Sequence, residues 1–250
     1  MAIFEAHNLH LRFGDRVVLE NVSLAFEDGN ISGIMGPNGA GKTTCFNLLT
    51  GRYRPDRGRI RFEGRDITAL PPRAIARLGI SRSFQVMNLF DDYSALDNVL
   101  IATPEVRERG FSMWRRFGGS TDVLESVGLA GKAHVRAKDL SYGDRRALEI
   151  GVALAARPRL LFLDEPTAGL GTEATARIAR LIAELKRSIT IVLIEHDMKF
   201  LFGLADHIYV MHWGQVIAQG SPAELRANPW VQRSNLGALA TPGTAVAGAH

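Results

Sequence analysis

The residues best suited to chemistry lie in a glycine-rich stretch, Gly36–Thr44, which we call the glycine loop. It matches the pattern G-x-x-x-x-G-K-[ST] at every fixed position and follows the apolar run Ile31–Met35. Because glycines lack Cβ atoms, successive backbone N–H groups can close around a polyphosphate, and a following helix adds its own unpaired N–H groups. Lys42 can neutralise phosphate oxygens, and the Thr43 hydroxyl can ligate Mg²⁺. The loop therefore predicts a nucleoside triphosphate site with these candidate contacts: Gly36, Pro37, Asn38, Gly39, Ala40, Gly41, Lys42, Thr43 and Thr44.

Two consecutive acids, Asp164 and Glu165, follow the apolar run Leu160–Leu163. A continuous apolar run of this kind is typical of a central parallel strand that is covered on both faces, so both acids are expected at its carboxyl end. Asp164 could hold the hydration shell of Mg²⁺. Glu165 points in a different direction and could polarise an attacking water as general base, or assist without taking the proton.

A second candidate anion site lies at Leu140–Asp144, between the glycine loop and these acids. Ser141 and Gly143 precede a helix-like run, Arg145–Ala156, whose free N–H groups and serine hydroxyl can meet a phosphate. Taken alone, the pentapeptide also fits an ordinary helix N-cap. Since the chain holds one glycine loop, the second site predicts a dimer in which each subunit completes the nucleotide site of its partner.

The elements that must position these residues change in type along the chain. Antiparallel strands are predicted at Ile3–His7, Val17–Phe26 and Gly58–Gly64. The C-terminal part alternates between helix and strand, with an amphipathic helix at Thr172–Arg187 and a buried strand at Ile189–Ile194. The pattern predicts an α/β P-loop NTPase fold: a RecA-like parallel core sheet, an N-terminal antiparallel β subdomain and a helical insertion at about residues 87–150.

Inside the insertion, Pro104–Ser120 is basic and aromatic. This cluster is either a solvated helix whose aromatic side chains are anchored in the core or a surface that docks a partner. The tail, residues 238–250, is small and polar and is expected to be flexible.

Composition limits the class of protein. The 250 residues are 46% hydrophobic and 22% charged, which supports a sizeable core, and the formal net charge of +4 leaves nucleotide, nucleic acid and membrane surfaces open as partners. A single cysteine, Cys45, cannot build a disulfide framework; we expect a small buried filler and a reducing, cytosolic setting. The start lacks the features of a signal peptide, and no run of about 18 apolar residues occurs, so membrane association is expected to come through a partner.

Two further stretches, Ser83–Gln85 and Ile194–Asp197, complete the set of motifs. Together the motifs resemble those of the nucleotide-binding subunit of an ABC transporter, over about residues 3–237. The resemblance implies ATP and Mg²⁺ as ligands and ATP hydrolysis coupled to transport. It also implies that Gln85 contacts Mg²⁺ or the lytic water and signals to the membrane subunit. His196 would contact the γ-phosphate and hold the water, and Phe13 would stack on adenine.

Three positions depart from the family pattern. Tyr142 and Asp144 replace a glycine and a glutamine within the signature Leu140–Asp144, and Gly171 stands where many relatives have aspartate. An acid near a phosphate site is unfavourable, so we expect Asp144 to face away, toward Arg145 or Arg146. Gly171 puts in doubt the contact across the dimer interface that is usually assigned to this loop.

Within the superfamily, Gly79–Gln85, Ser94–Leu100, Ala147–Ile150 and Trp230–Gly237 resemble the branched-chain amino acid importers, a group that includes importers of urea and short amides. This implies transmembrane permease subunits, a second ATP-binding subunit (identical or a close cousin) and, indirectly, a periplasmic or surface solute-binding protein. It also implies a peripheral location on the cytoplasmic face of the inner (plasma) membrane. The alternative is a soluble ABC-type ATPase that acts on nucleic acid or on macromolecular assembly. The chain lacks the coiled coils, zinc clusters and second cassette of such proteins, so no nucleic acid partner is expected.

Overall fold

The computed structural model describes residues 1–83, 89–104, 120–228 and 231 of the chain. Within these residues, the N-terminal part forms an antiparallel sheet of four strands with the spatial order β2-β1-β4-β5. Its strands are β1 (Ala2–Phe13), β2 (Arg16–Glu27), β4 (Arg57–Phe62) and β5 (Arg65–Asp66).

The first strand extends well beyond the predicted segment Ile3–His7. Asn8 on β1 and Asn21 on β2 have positive φ angles of 49° and 53°, and both lie at irregularities in the β1–β2 register. A bulge shifts the alternation of apolar and polar side chains, so a pattern of period two ends at the bulge although the strand continues.

The central sheet has six strands among the described residues, in the order β10-β9-β3-β8-β7-β6. They are β3 (Ile31–Met35), β6 (Ile80–Arg82), β7 (Leu160–Asp164), β8 (Thr190–Ile194), β9 (His207–His212) and β10 (Gln215–Gly220). All neighbouring pairs are parallel except the β9–β10 hairpin. The carboxyl ends of β3, β7 and β8 therefore meet at one edge, where the glycine loop and the two acids follow their strands.

Helices cover this sheet and extend to one side of it. Those of the core are α1 (Lys42–Leu49), α2 (Pro72–Arg77), α6 (Thr172–Leu185), α7 (Met198–Leu204) and α8 (Pro222–Ala227). Those in the segment predicted as the insertion are α3 (Ala95–Ala102), α4 (Ser120–Ser126) and α5 (Tyr142–Ala155), with 3₁₀ turns at Ala130–Lys132 and Ala137–Asp139. The α/β fold with a parallel core sheet and an N-terminal antiparallel sheet is confirmed, whereas the limits of the insertion and of the tail remain predictions.

Two hydrophobic cores lie on opposite faces of the central sheet. Along β7, Leu160 and Phe162 face the antiparallel sheet, and Leu161 and Leu163 face the helices. This alternation of fully buried side chains explains why the strand reads as a continuous apolar run. Cys45 is buried in the core that the central sheet shares with the antiparallel sheet, as expected of a small filler. Burial raises the pKa of its thiol to about 12.

The described helices include none that is long and apolar enough to cross a membrane. Ser94 and Ser221 begin α3 and α8 with capping boxes, in which Asp97 and Glu224 are the reciprocal acids. Most of the basic and aromatic segment Pro104–Ser120 lies outside the described residues, so its two interpretations stay open.

Candidate active site

The glycine loop connects β3 to α1, as the sequence predicts. At Gly36 a Cβ atom would lie 2.1 Å from the carbonyl oxygen of Met211, and the φ angle is +154°, so this position accepts only glycine. Gly41 has a φ angle of +93° and caps the N-terminus of α1. The loop therefore holds its backbone close to β9 and leads directly into the N-terminus of α1, where helix N–H groups favour an anion.

Lys42 lies under this loop and is 7% exposed. Its Nζ atom donates hydrogen bonds to the carbonyl oxygens of Gly36, at 2.7 Å, and Pro37, at 3.0 Å. Burial lowers the pKa of Lys42, and the nearby carboxylates of Glu165 and Asp164 oppose that shift. The loop lysine and the two acids that follow β7 are thus brought into one electrostatic site.

Asp164 is 1% exposed at the end of β7. Its Oδ2 atom accepts a hydrogen bond from Nη2 of Arg82 at 3.2 Å, whereas Oδ1 is buried without a hydrogen-bond partner. Burial raises the pKa of Asp164, Arg82 opposes this shift, and Glu165 adds to it. A buried carboxylate oxygen without a donor fits a cation ligand, and Thr43 is exposed at the start of α1.

The described residues contain no cluster of three or more His, Cys, Asp or Glu side chains that could hold a metal. Mg²⁺ does not need one, because it is usually bound by one or two protein oxygens together with phosphate oxygens and waters. The residues present therefore fit Mg²⁺ held jointly with a nucleotide.

Glu165 and His196 follow neighbouring strands. Because Asp164 pairs with Ile194 in the β7–β8 register, the residues after both strands come together, and Nδ1 of His196 lies 3.8 Å from Oε1 of Glu165. The His196 side chain is 61% exposed and that of Glu165 is 23% exposed, so both are accessible from solvent. A histidine beside a solvent-accessible carboxylate has the chemistry to hold and deprotonate a water.

The signature serine caps α5. Ser141 Oγ accepts a hydrogen bond from the backbone N–H of Asp144 at 3.2 Å and donates one to Asp144 Oδ2 at 2.6 Å. Beside it, a Cβ atom on Gly143 would lie 3.3 Å from both Ala174 and Arg177, so a side chain there would disturb the contact with α6. Within the described part of the chain, the Ser141 hydroxyl bonds to Asp144 alone, and no hydrogen bond joins it to the glycine loop of the same subunit.

The expected partners of Asp144 were wrong. Its carboxylate accepts hydrogen bonds from Lys132 Nζ, at 2.5 Å, and Arg177 Nη1, at 2.9 Å, rather than from Arg145 or Arg146. Residues one and two positions apart on a helix do not face each other, so the two neighbouring arginines point elsewhere. Although burial raises the pKa of Asp144, the bonds from Lys132, Ser141 and Arg177 outweigh it and leave the pKa low.

The remaining predicted residues are placed as follows. Phe13 lies at the end of β1, is 48% exposed and packs edge-on against Tyr53 with ring centroids 5.3 Å apart. Gly171 precedes α6 and makes no side-chain cap. Gln85 lies outside the described residues.

Two side chains of the site escaped the sequence analysis. Arg82 joins Asp164 to α1 through Asn47 Oδ1, at 2.6 Å. Glu195 is fully buried, and its Oε1 atom accepts hydrogen bonds from both the backbone N–H and the hydroxyl of Thr167. No pattern marks either residue: Arg82 ends the short strand β6, which the sequence did not predict, and Glu195 stands beside His196 without a signal of its own.

Comparison with known proteins gives the family. The family model described as ABC transporter matches residues 19–168. The high-affinity branched-chain amino acid transport ATP-binding protein LivG of Salmonella typhimurium is 41% identical, with 94% of this chain and 98% of that protein covered. BraF of Pseudomonas aeruginosa, of the same description, is 40% identical at the same coverage. The lipopolysaccharide export system ATP-binding protein LptB of Acidithiobacillus ferridurans is 37% identical, over 94% of this chain and 97% of that protein.

Solved structures agree with the sequence relatives. The ADP conformation of MJ1267, an ATP-binding cassette of an ABC transporter, superimposes with a TM-score of 0.83 at 31% identity, over 92% of this chain and 97% of that one. CbiO1 of Clostridium perfringens, part of an ABC transporter complex, has a TM-score of 0.81 at 28% identity, over 95% and 98%. The chain therefore belongs to the ABC transporter family, as an ATP-hydrolysing ATP-binding cassette similar to the ATP-binding subunits of branched-chain amino acid transporters.

Proposed function

We propose that this ATPase powers the import of branched-chain amino acids or related small amides, as a peripheral subunit on the cytoplasmic face of the plasma membrane. The observation that carries the proposal is the identity of 39–41% with LivG and BraF proteins over 94% of the chain. LptB is 37% identical over the same share, so export of lipopolysaccharide is the competing direction.

The chemical step is transfer of the γ-phosphoryl group of ATP to water. Lys42 and the N–H groups of the glycine loop stabilise negative charge on the phosphates. Glu165 takes the proton of the attacking water, and His196 beside it holds that water against the γ-phosphate. Phe13 stacks on the adenine ring, and its partial exposure at the end of β1 supports this role.

Asp164 and Thr43, with Gln85, are the residues that would hold Mg²⁺, which supplies charge stabilisation at the β- and γ-phosphates when bound. The buried, unpartnered Oδ1 atom of Asp164 supports this assignment.

The working unit is a dimer that encloses two ATP molecules. In each site, Ser141 and Gly143 of one subunit face the nucleotide held by the glycine loop of the other. Support comes from the position of Ser141 at the N-terminus of a long helix, α5, where a phosphate is favoured. It also comes from the hydrogen bonds of the Ser141 hydroxyl, none of which reaches its own glycine loop in the part of the chain that is described.

The membrane partner docks in a groove of about 910 Å³ between the core and the helical segment. Its wall is mainly apolar and includes Ile75 of α2, Ile101 of α3 and Val152 of α5, while the exposed Arg52 and Arg73 line its mouth. An apolar groove with a basic rim suits an amphipathic helix that carries acids, which we assign to a cytoplasmic loop of the permease. Ser83 and Leu89, the described residues nearest to Gln85 in the sequence, also line the groove.

Transport assays test the direction and the solute. In cells that lack the chromosomal gene, uptake of radiolabelled leucine or of a short amide should be lost, and the wild-type gene should restore it. The Lys42→Ala variant should not restore it, which ties uptake to ATP binding by this chain. Normal uptake of all these solutes together with loss of lipopolysaccharide from the cell surface would reject import and favour export.

A further inference from the structure

The backbone at Glu165 is held in a conformation that non-glycine residues rarely adopt. Its φ angle is +46°, in the left-handed region. The N–H group of Glu165 donates to the carbonyl oxygen of Ile194 at 2.9 Å, and its own carbonyl accepts from the N–H of Ala168 at 3.1 Å. A strained residue persists only when its surroundings fix it, so the direction of its carboxylate depends on these backbone contacts.

Arg146 supplies further contacts to the same segment. Its guanidinium donates to three consecutive carbonyl oxygens: Nη2 to Asp164, at 2.8 Å, and to Glu165, at 2.6 Å, and Nε to Pro166, at 3.1 Å. Nη1 forms an ion pair with Glu149 Oε2 at 2.7 Å, and both side chains are nearly fully buried. A planar guanidinium can reach three carbonyls and a carboxylate at once, which the point charge of a lysine cannot.

Tyr142 lies one helical turn before Arg146, on the same face of α5. Its hydroxyl donates to the carbonyl oxygen of Ala168 at 3.1 Å, and its ring covers Gly169, where a Cβ atom would lie 3.2 Å from the Tyr142 hydroxyl. The helix that begins with the signature serine therefore holds the backbone from Asp164 to Ala168 by two side chains. Tyr142, which departs from the family pattern, has a structural role in this arrangement.

We propose that Arg146 and Tyr142 are positioning residues for ATP hydrolysis, because they fix the backbone of Glu165 and with it the direction of its carboxylate. The inference rests on the proposed role of Glu165 as general base. On this proposal, hydrogen bonds tie the helix that begins at the signature serine to the base of the same subunit, so a shift of α5 should displace Glu165. Glu149 also lines the groove assigned above to the permease, so the Arg146–Glu149 pair lies between that groove and Glu165.

Steady-state kinetics and nucleotide binding of the full-length chain test the proposal. R146K keeps the positive charge but cannot span the three carbonyls; we expect kcat to fall by about 10- to 100-fold, with the Kd for ATP within about twofold of wild type. R145K is the matched control, because the neighbouring Arg145 binds the carbonyl oxygen of Ala137 and Asp91 on another face of α5. Its kcat should be unchanged. Hydrogen exchange at residues 164–168 should be faster in R146K than in R145K.

A double-mutant cycle separates positioning from general structural damage. If Arg146 acts through Glu165, R146K should lower kcat in the wild-type background and have no further effect in the E165Q background. If R146K turns over ATP at the wild-type rate while E165Q is inactive, the positioning role of Arg146 is wrong but Glu165 remains the proposed base. Near wild-type turnover of E165Q would overturn the proposed base and the inference with it. Should R146K fail to fold, Y142F replaces it, with kcat expected to fall by about two- to tenfold at wild-type Kd; wild-type kcat in Y142F would then overturn the inference.

Discussion

The hydroxyl of Ser141 donates a hydrogen bond of 2.6 Å to the carboxylate of Asp144, which two cations, Lys132 and Arg177, also bind. The signature therefore contains an acid whose charge is compensated by residues from elsewhere in the fold. In the proposed dimer this acid lies near the phosphate that Ser141 must meet. Its charge opposes nucleotide binding, whereas its two partners favour it.

Removal of that charge should strengthen the ATP-dependent dimer. In an E165Q background, D144N should raise the dimer affinity by about fivefold, which corresponds to the ~1 kcal/mol of two charges about 4 Å apart in water. Sedimentation velocity with ATP at low salt measures this. The same change should lower the free energy of unfolding by about 1 kcal/mol, because Lys132 and Arg177 lose a partner while remaining partly exposed.

The control for that experiment is D92N. Asp92 forms an ion pair with Lys138 on the surface and is 79% exposed, so its loss should leave dimer affinity unchanged. If the D144N variant in the E165Q background dimerises with the same or lower affinity than E165Q alone, the view that Asp144 opposes the phosphate is contradicted.

Lys42 should contribute strongly to ATP affinity through its interaction with the phosphates. K42A should weaken ATP binding by about 10- to 100-fold, since hydrogen bonds to charged groups are worth about 1.5–3 kcal/mol. Isothermal titration with ATP measures the change, and K138A, which removes a half-exposed surface lysine, is the control. Binding of ATP by K42A at wild-type affinity would show that the glycine loop does not hold the phosphates.

Asp164 should cost stability at neutral pH. Burial raises its pKa in the folded chain above that in the unfolded chain, so the unfolded chain ionises first as pH rises. Stability is therefore lost from about pH 4, the ordinary pKa of aspartate, until the folded carboxyl has also ionised. The stability margin of D164N over wild type should therefore grow over this interval and then level off, while kcat falls by about 100-fold or more.

Denaturant unfolding at several pH values between 4 and 8, without nucleotide or metal, measures this margin. A difference between D164N and wild type that stays constant across the interval would mean that the carboxylate bears no ionisation cost in the fold. Retained turnover in D164N would remove Asp164 from the Mg²⁺ site.

Sequence patterns predicted the place of a residue in the fold where its neighbours in the sequence carry the signal. The glycine loop follows its strand and precedes its helix within a few residues, and Asp164 and Glu165 directly end an apolar run, so their places in the fold could be predicted. The α/β fold and the caps at Ser94 and Ser221 follow from equally local signals.

Contacts between distant segments could not be predicted in this way. The partners of Asp144 come from a 3₁₀ turn and from α6, and only the packing of α5 against both decides that they meet. Arg146 binds carbonyl oxygens 18 to 20 residues away, and a backbone acceptor leaves no mark in the sequence. Asp144 and Arg146 stand two positions apart, which in a helix separates them rather than pairs them.

Glu165 should be required for hydrolysis but not for binding. E165Q keeps the shape of the side chain and loses the base, so kcat should fall by about 10²- to 10⁴-fold, with ATP affinity within about twofold of wild type. Because ATP then persists at the interface, the dimer should accumulate with Mg·ATP and be seen by size-exclusion chromatography with light scattering. E184Q, on the exposed face of α6, is the control and should hydrolyse ATP normally. Near wild-type turnover in E165Q would remove Glu165 from the base role. An E165Q variant that stays monomeric with saturating Mg·ATP would instead contradict the proposed dimer that encloses two ATP molecules. These two results separate the chemistry of the site from its assembly.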